Sequence, residues 1–353
     1  MKYNSLEINA FMELADQASS IVIDVRSEGE FEQGHIPEAV NIPLLNNAQR
    51  HQVGICYKER GQQAAIDLGF ELVGPFFAEK IANARSIVGE KHIAIYCWRG
   101  GLRSNIMAWL FSTAGMKVTL LQKGYKAFRN ANHVRFSSFQ NYLVLGGKTG
   151  SGKSEILLLL ARHGHPIVDL ESIAHHKGSA FGALGQEVQF TQEHFENHLG
   201  NVLRRLPNDC SVWIEDESRF VGKNKIPDAM YEHMQQSPKI FLDRSKEERI
   251  ARILNEYGQF DPEILAEKTA SVAKRMGPEQ SQQAIAFLRE GLMQQWAGML
   301  LDYYDKTYEH AREIKARSYK NIVDHIHVSS SLDEQHIVDV LVRFATTCQQ
   351  QTL

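Results

Sequence analysis

Short apolar runs alternate along the chain with segments whose apolar residues recur at helical spacing. Ile106, Leu110 and Phe111 follow one such run at one-turn spacing, and Ile156 and Leu160 follow another. Each combination predicts a strand, a loop and a helix. Continuous apolar runs are typical of strands buried on both faces in a parallel sheet. The predicted strands are residues 21–26, 93–96, 142–145, 211–214, 239–243 and 322–328.

The length and the order of these elements predict two α/β domains. A chain of 353 residues exceeds the usual size of a single core. The segment Asn130 to Gln140 is polar and is interpreted as a linker, which gives domains 1–136 and 137–353. The second domain should end in a helical tail, with residues 331–334 capping the last helix.

A glycine-containing loop with a cysteine follows the run at 93–96. The loop reads Cys97-Trp98-Arg99-Gly100-Gly101-Leu102-Arg103-Ser104. Backbone N–H groups of such a turn and of the helix start can point at one oxyanion, with Arg103 completing the site. The same field favours the thiolate of Cys97, which is the nucleophilic form. A cysteine that is simply buried at a strand end is the alternative.

Residues upstream of this loop complete a recognisable pattern. Asp24 and Arg26 end the first run, and Gly34-His35-Ile36-Pro37 follows soon after. With the Cys97 loop they resemble the rhodanese domain, whose members pass sulfur as a cysteine persulfide. Arg103 lies six residues after Cys97, whereas the usual sulfurtransferase loop has a spacing of five and the related cysteine phosphatases have six. The longer loop should therefore accept a larger or tetrahedral ligand.

A second loop follows the run at 142–145 and matches G-x-x-x-x-G-K-[ST] in full. Between a strand and a helix this pattern predicts a P-loop, with a ligand-free connector as the alternative. Lys153 is expected to reach the outer phosphate and Ser154 a Mg²⁺ ion. The backbone of the loop should hold the phosphate oxygens, through Gly147, Gly150, Ser151 and Gly152. A metal-side carboxylate is expected among Glu215, Asp216 and Glu217, with no way to choose between them.

Composition excludes several classes of protein. The net charge of −3 argues against indiscriminate nucleic-acid binding. The four cysteines form no C-x-x-C pair, so neither a disulfide framework nor a zinc site is indicated. No stretch is long and apolar enough for a membrane span, and no signal peptide is visible, so a cytoplasmic protein is expected. One segment interleaves cations with aromatic rings and is a candidate tRNA contact: Lys123, Tyr125, Lys126 and Arg129.

Over most of its length the chain resembles the tRNA 2-selenouridine synthase family. The fold implied is an N-terminal rhodanese-like domain plus a C-terminal P-loop NTPase-like domain with a parallel sheet and a helical tail. The stretches that carry the resemblance are Cys56 to Ala65, Arg99 to Ser104, Gly124 to Ala127, Asp169 to Glu171, His175 to Gly182 and Glu215 to Arg219.

The resemblance implies a transferase that replaces the sulfur of wobble 2-thiouridine in tRNA by selenium from selenophosphate. It also implies S-geranylation of that sulfur from geranyl diphosphate, which turns it into a leaving group. Cys97 would carry selenium, and Lys153 with Mg²⁺ would hold the diphosphate. No tightly bound cofactor is expected, and a monomer is the default. Candidates for the prenyl pocket are Phe181, Phe190, Phe195 and Trp213.

Three other functions are compatible with the two loops. A rhodanese sulfurtransferase fused to an ATP-dependent kinase-like domain would turn over nucleotide without tRNA. A cysteine phosphatase would use the long loop but leaves the P-loop without a role and lacks an obvious general acid. A nucleotide-sensing regulatory module would not need Cys97.

Overall fold

The computed structural model describes residues 3–207, 210–318, 323–327 and 333–351. It divides into two compact units. The first comprises Met1–Arg135 with Glu196–Asn201, and the second comprises Phe136–Phe195 with Val202–Leu353. Each unit contains a five-stranded sheet whose strands are all parallel, which confirms the predicted α/β class.

The first sheet has the order β1-β5-β4-β2-β3. Its strands are β1 (Asn4–Leu6), β2 (Ser20–Asp24), β3 (Val40–Asn41), β4 (His92–Tyr96) and β5 (Val118–Leu121). The helices of this part of the chain are α1 (Ile8–Ala15), α2 (Glu28–Gln33), α3 (Asn47–Val73), α4 (Phe77–Val88), α5 (Leu102–Thr113) and α6 (Gly124–Ser138). The central strand β4 leads directly into the Cys97 loop, and α5 follows it.

Strand β4 is buried on both faces. Ile93 and Ile95 belong to one apolar cluster, and Ala94 and Tyr96 belong to another. This division follows from the alternation of side chains along a strand. The carboxyl end of β4, which carries Cys97, is therefore fixed by packing from both sides of the sheet.

Helix α3 is a folded-back pair rather than one rod. Gly61 interrupts it with φ 84°, a value that glycine adopts without steric cost. The side chain of Gln49 donates a hydrogen bond to the carbonyl of Leu72 at 3.2 Å. In a continuous helix these residues would lie about 35 Å apart. The segment Cys56 to Ala65 thus surrounds the turn of a helical hairpin.

The second sheet has the order β12-β11-β6-β8-β7, and a separate hairpin pairs β9 with β10. The strands are β6 (Tyr142–Gly147), β7 (Ile167–Val168), β8 (Val212–Glu215), β9 (Phe220–Val221), β10 (Asn224–Lys225), β11 (Lys239–Asp243) and β12 (Val323–His327). The helices are α7 (Lys153–Arg162), α8 (Leu170–Ala174), α9 (Gln192–Arg205), α10 (Asp228–Gln236), α11 (Lys246–Tyr257), α12 (Pro262–Ser271), α13 (Ala273–Met276), α14 (Pro278–Arg289), α15 (Met293–Ser318) and α16 (Glu334–Gln351).

Two apolar clusters stabilise this second unit. One packs α7 and α16 against a face of the sheet through residues such as Leu157, Trp213 and Leu341. The other is made almost entirely by helices α11 to α15 and includes Trp296 and Leu300. The helical part of the second unit therefore has its own core beside the sheet.

The predicted linker Asn130 to Gln140 is wrong, because α6 continues through Ser138. Phe136 and Phe139 are buried, so the polar residues between them only form the exposed side of a packed segment. The predicted last strand is present as β12, while residues 322 and 328 and the capping residues 331 and 332 lie outside the described residues. Within the described residues, no helix is both long enough and apolar enough to cross a membrane.

Candidate functional site

Cys97 lies at the end of β4 and is almost completely buried. Its Sγ atom is 3.1 Å from the hydroxyl of Ser104, in the first turn of α5. The same hydroxyl is 3.1 Å from the carbonyl of Gly101. A hydroxyl carries one hydrogen and can rotate, so Ser104 can donate to a thiolate or accept from a thiol at Cys97.

The start of α6 fixes the shape of the Cys97 loop. The N–H of Tyr125 donates to the carbonyl of Cys97 at 2.8 Å, and that of Lys126 donates to the carbonyl of Trp98 at 3.0 Å. A Cβ atom on Gly124, whose φ is 57°, would lie 2.2 Å from the Cys97 carbonyl. Only glycine allows this approach, which gives a structural reason for the stretch Gly124 to Ala127.

The other predicted residues of the loop lie at the surface around Cys97. Arg99, Gly101 and Leu102 are exposed, and Gly100 is half-buried. Within the described part of the chain, the backbone N–H groups of residues 98–101 donate to no acceptor. Such unsatisfied amides in a turn form a concavity suited to an anion.

Arg103 is held beside the loop by Glu30. Its guanidinium contacts both carboxylate oxygens of Glu30, at 2.6 and 3.3 Å, and Glu30 also pairs with Arg50 at 2.8 Å. Burial would raise the pKa of Glu30, but the hydrogen bond and charge of Arg103 outweigh it and lower this pKa. The ion pair keeps Arg103 at the loop, and its contact with an oxyanion stays a prediction.

The basic and aromatic segment is less available for RNA than expected. Tyr125 is completely buried, lies 3.9 Å from the Arg26 guanidinium and accepts a hydrogen bond from Asn197 at 2.5 Å. Stacking of a base on this ring disagrees with that packing. Arg129 is engaged with Glu196 and with Asn197 at 2.9 Å, so its expected phosphate contact also disagrees with the structure.

Lys123 and Lys126 are the two residues of that segment with exposed side chains. The interleaving of cations and rings therefore has a packing cause, because Tyr125 and Arg129 point into the first unit. Asp24 and Arg26 stabilise the fold of the first unit. Arg26 binds Asp24 at 2.6 Å and the carbonyl of Gly34 at 2.6 Å.

The P-loop connects β6 with α7 in the second unit. Gly147, Gly150 and Gly152 all have positive φ, at 149°, 78° and 89°, and shape the turn as the sequence pattern requires. Lys153 donates from Nζ to the carbonyl of Gly147 at 3.2 Å. Ser151 is buried within the loop.

Two arginines lie against this loop, one directly after β11 and the other on α11. Arg244 donates from Nε to the carbonyl of Ser151 at 3.1 Å. A Cβ atom on Gly152 would lie 2.9 Å from Nη2 of Arg252. Burial and the positive charge of Arg252 lower the pKa of Arg244. Arg252 also pairs with Glu155 at 2.5 Å. Both arginines line the cleft beside the P-loop, where a bound anion would further offset their repulsion.

The three predicted carboxylates have different surroundings. Glu215 is buried and accepts a hydrogen bond from the N–H of Leu170 at 3.0 Å, and Asp216 pairs with Lys239 at 3.0 Å. Glu217 lines the cleft that contains the P-loop and interacts electrostatically with Lys153. Asp216 lines the same cleft, but its carboxylate is paired with Lys239, so Glu217 is the better candidate for the carboxylate at the phosphate site.

Glu171 is a site residue that the sequence reading missed. It accepts a hydrogen bond from the Ser154 hydroxyl at 2.9 Å. A Cβ atom on Gly178 would lie 2.8 Å from Glu217 and 3.1 Å from Glu171, so the two carboxylates approach the same point. The signal was present in Asp169-Leu170-Glu171, which directly follows the apolar pair of β7 at the carboxyl edge of the sheet.

These acids share a region of low solvation. Burial, opposed by Lys153 and reinforced by Glu171, raises the pKa of Glu217 to about 7. Burial also raises the pKa values of Glu171 and Glu215. Among the described residues, no group of three or more His, Cys, Asp or Glu side chains is placed to hold a metal ion. Ser154 and Glu171 nevertheless supply the oxygen donors that Mg²⁺ uses together with phosphate.

The cleft has a volume of about 1830 Å³, larger than the range of about 300–1,000 Å³ for small-molecule sites. Beyond the P-loop it is lined by an apolar wall, defined here as Phe181, Tyr257, Trp296, Leu300 and Tyr304. Among the predicted pocket residues only Phe181 lines it. Phe195 is buried in α9, Trp213 packs against Phe344, and Phe190 contacts His175.

Known protein families match both the N-terminal and the C-terminal part of the chain. The family model of the tRNA 2-selenouridine synthase AAA domain matches residues 140–337, and that of the rhodanese-like domain matches residues 7–131. A tRNA 2-selenouridine synthase of Pseudomonas fluorescens is 38% identical over 83% of this chain and 89% of its own length. The protein of that name from Shewanella piezotolerans is 36% identical over 88% of this chain and 94% of its own length, and that from Cupriavidus pinatubonensis is 36% identical over 84% and 89%. With both domains matched and most of its length shared with these relatives, the chain belongs to the tRNA 2-selenouridine synthase family.

Proposed function

We propose that this protein replaces the sulfur of 2-thiouridine at the tRNA wobble position by selenium, in two group transfers. The observation that carries the proposal is the presence of two separate loops with donors suited to an anion, a cysteine loop and a P-loop, in one chain of this family. One transfer alkylates the sulfur, and the other exchanges the alkylated sulfur for selenium. The transferase therefore needs two activated donors, one for each site.

Geranyl diphosphate is the donor proposed for the P-loop. The amides of a P-loop recognise phosphates and are indifferent to what is attached to them, so the rest of the cleft decides. The apolar wall borders the cleft: Tyr304 is half-buried there, whereas Phe181, Trp296 and Leu300 are packed in the helical core. Burial of a hydrocarbon chain against such a wall contributes about 25 cal/mol per Å². This lining supports a prenyl group over a nucleoside.

In the first transfer the thiouridine sulfur attacks C1 of the geranyl group. The carbon–oxygen bond to the diphosphate breaks, and the base loses its N3 proton to solvent. Lys153, Arg244 and Arg252 surround the oxygens on which negative charge develops, which is how fixed cations stabilise such a transition state. A Mg²⁺ ion held through Ser154 and Glu171 would add a further positive charge at the same oxygens.

In the second transfer the Cys97 loop holds selenophosphate, through the amides of residues 98–101 and Arg103. Alkylation has made the sulfur at C2 a thiol-type leaving group and has made C2 electrophilic. Selenium therefore adds at C2 and thiogeraniol departs. The exposed side chains of Lys123 and Lys126, on the element that supports this loop, are proposed contacts to tRNA phosphates.

The test is reconstitution with purified protein, 2-thiouridine tRNA, geranyl diphosphate and selenophosphate, followed by mass spectrometry of the nucleosides. We expect 2-selenouridine with the wild type. The Cys97→Ser variant should form none and should still consume 2-thiouridine by geranylation, because its P-loop is unchanged. Normal selenouridine formation by Cys97→Ser would contradict the assignment of the second transfer to this loop.

A further inference from the structure

The redox level of the selenium donor limits what Cys97 can do. In thiosulfate the transferred sulfur can leave as a persulfide, because sulfite departs with the electron pair. In selenophosphate the selenium is already at the selenide level and phosphorus at the phosphate level, as in the products. A Cys97 perselenide would require a two-electron oxidant to form and a reductant to resolve, and neither belongs to the proposed reaction.

Phosphoryl transfer from the same donor needs no redox partner. The phosphorus must only pass from selenium to a nucleophile and then to water. A thiolate is a suitable acceptor if a cradle holds the three phosphoryl oxygens and if the sulfur can leave again. The question is whether the Cys97 loop offers these two features.

The loop has the dimensions and donors for a tetrahedral group. Arg103 lies six residues after Cys97, and the intervening amides of residues 98–101 donate to no acceptor within the described chain. Glu30 engages two N–H groups of Arg103, and a guanidinium has five, so donors remain for a phosphoryl oxygen. Glu30 thus holds Arg103 in place and does not occupy all of its N–H groups.

Ser104 supplies the second feature. Its hydroxyl lies 3.1 Å from the Cys97 sulfur and can donate to a departing thiolate. A hydrogen bond to a charged group is stronger than one between neutral groups. The hydroxyl would therefore favour both formation of the thiolate and its expulsion from phosphorus.

We propose that Cys97 accepts the phosphoryl group of selenophosphate, and that selenium reaches the base without a bond to the protein. The proposal rests on the proposed function. Selenophosphate attacks C2 of the geranylated base through selenium, the C2–S bond breaks, and thiogeraniol leaves after protonation. The Cys97 thiolate then attacks phosphorus, the Se–P bond breaks, and 2-selenouridine takes a proton at N3. Water finally cleaves the S–P bond, releases phosphate and restores the thiolate.

This order of steps removes an objection to phosphatase-type chemistry in this loop. Such chemistry normally needs a general acid for an alkoxide leaving group, and no such partner was evident from the sequence. Here the group that leaves phosphorus is a selenolate whose charge is delocalised into the pyrimidine ring. It departs without a proton donor, so the missing acid is consistent with this substrate.

The decisive experiment uses wild type and Ser104→Ala with pre-geranylated tRNA and selenophosphate labelled with ³²P or ⁷⁵Se. After rapid acid quenching, we expect ³²P on Cys97 and no ⁷⁵Se. Ser104→Ala should accumulate the labelled cysteine and hydrolyse it roughly ten- to a hundredfold more slowly. Ser112→Ala, on the same helix with its hydroxyl bonded to Trp109, is the matched control and should behave as wild type.

Two further readouts separate this proposal from the proposed function. Cys97→Ser should accumulate a Se-phosphorylated uridine, whereas a selenium-carrying cysteine predicts accumulation of the S-geranylated base. Without tRNA, p-nitrophenyl phosphate should give a burst of nitrophenolate that is lost in Cys97→Ser. If the protein gives this burst but makes no selenouridine, Cys97 is still a phosphoryl acceptor and only the proposed tRNA reaction is contradicted.

Three results would overturn the proposal. One is ⁷⁵Se bound to Cys97, and another is the S-geranylated base as the species that accumulates with Cys97→Ser. The third is the absence of both ³²P on Cys97 and a nitrophenolate burst, in wild type and in Ser104→Ala alike.

Discussion

The side chains around the P-loop come from distant parts of the sequence. Glu171 follows β7, Glu217 follows β8, and Arg252 lies on α11. Parallel strands bring their carboxyl ends to one edge, so residues after different strands converge there. Chemistry at this site depends on charges that the loop sequence alone does not contain.

Arg252 is predicted to assist the departure of diphosphate. Replacing it with Ala should lower kcat for geranylation by about a hundredfold, because a fixed charge is lost where the leaving group becomes negative. KM for geranyl diphosphate should change much less. The measurement is steady-state geranylation of 2-thiouridine tRNA by Arg252→Ala.

Arg162→Ala is the matched control, since Arg162 ends α7 and pairs at the surface with Glu334. It should retain wild-type kinetics. Equal losses in both variants would show that Arg252 acts through general stability rather than at the phosphates.

Glu217 is predicted to destabilise the ligand-free protein at neutral and alkaline pH. Its pKa is raised from 4.5 to about 7 by burial, so between these values the folded state binds more protons than the unfolded state. The free energy of unfolding should therefore fall as pH rises through this window, by roughly 3 kcal/mol for this group. Glu217→Gln should remove that fall and should be more stable than wild type at pH 8.

Urea denaturation of the second unit at pH 5 and pH 8, with a chelator and no diphosphate, measures this effect. Glu290→Gln serves as the control because Glu290 is exposed, and it should keep the wild-type pH dependence. A Glu217→Gln profile that parallels wild type would argue against a buried, protonated Glu217.

At the scale of elements, sequence patterns predict the strands that are buried along their whole length. Strands β2, β4, β6, β8 and β11 were visible because their residues are apolar on both faces. The hairpin in α3 was not, since only Cys56, Ala65 and Val73 along it are buried and such sparse burial leaves little periodicity. The continuation of α6 was hidden for a similar reason, because polar residues separate Phe128 from Phe136.

The residues of the two reactive loops and their surroundings divide in the same way, into those that local sequence predicts and those that only the fold brings together. The two loops were predictable because each needs a fixed local spacing of glycines with Cys97 or Lys153. Glu171, Arg252 and the apolar wall depend on which strands and helices become neighbours. The prediction that Tyr125 stacks on a base was wrong because an aromatic residue beside lysines has the same local pattern whether it stacks on a base or packs in a core.

The apolar wall yields a prediction for the loop between α8 and α9. Ala180 is half-buried, lines the cleft and donates its N–H to the hydroxyl of Tyr304 at 3.3 Å. Ala180→Phe should fill part of the space for the prenyl chain and weaken geranyl diphosphate binding roughly tenfold or more. Pyrophosphate binding should be unchanged.

Ala183→Phe is the control, because Ala183 is exposed and is not part of the cleft lining. Isothermal titration with geranyl diphosphate, dimethylallyl diphosphate and pyrophosphate compares the two variants. The shorter prenyl donor should suffer less from Ala180→Phe than the longer one. Uniform weakening of all three ligands would place the chain elsewhere.

At the scale of the whole molecule, each reactive loop belongs to a unit with its own sheet and core. The Cys97 loop is built by β4, α5 and α6, and the P-loop by β6 and α7. No residue of the described P-loop is needed to shape the cysteine loop. Damage to one anion site should therefore leave the chemistry of the other intact, and the two transfers should be separable by mutation.

Lys153→Ala tests this separation directly. The variant should fail to geranylate 2-thiouridine tRNA, since Lys153 is the P-loop cation expected at the outer phosphate, and should therefore form no selenouridine from that substrate. Given tRNA that is already geranylated, together with selenophosphate and no nucleotide, it should form selenouridine at a rate close to wild type, because the alkylation is no longer required. A kinase-like P-loop that powers the selenium step gives the opposite outcome. In that case folded Lys153→Ala would remain inactive on pre-geranylated tRNA, and ATP would stimulate the wild type on the same substrate.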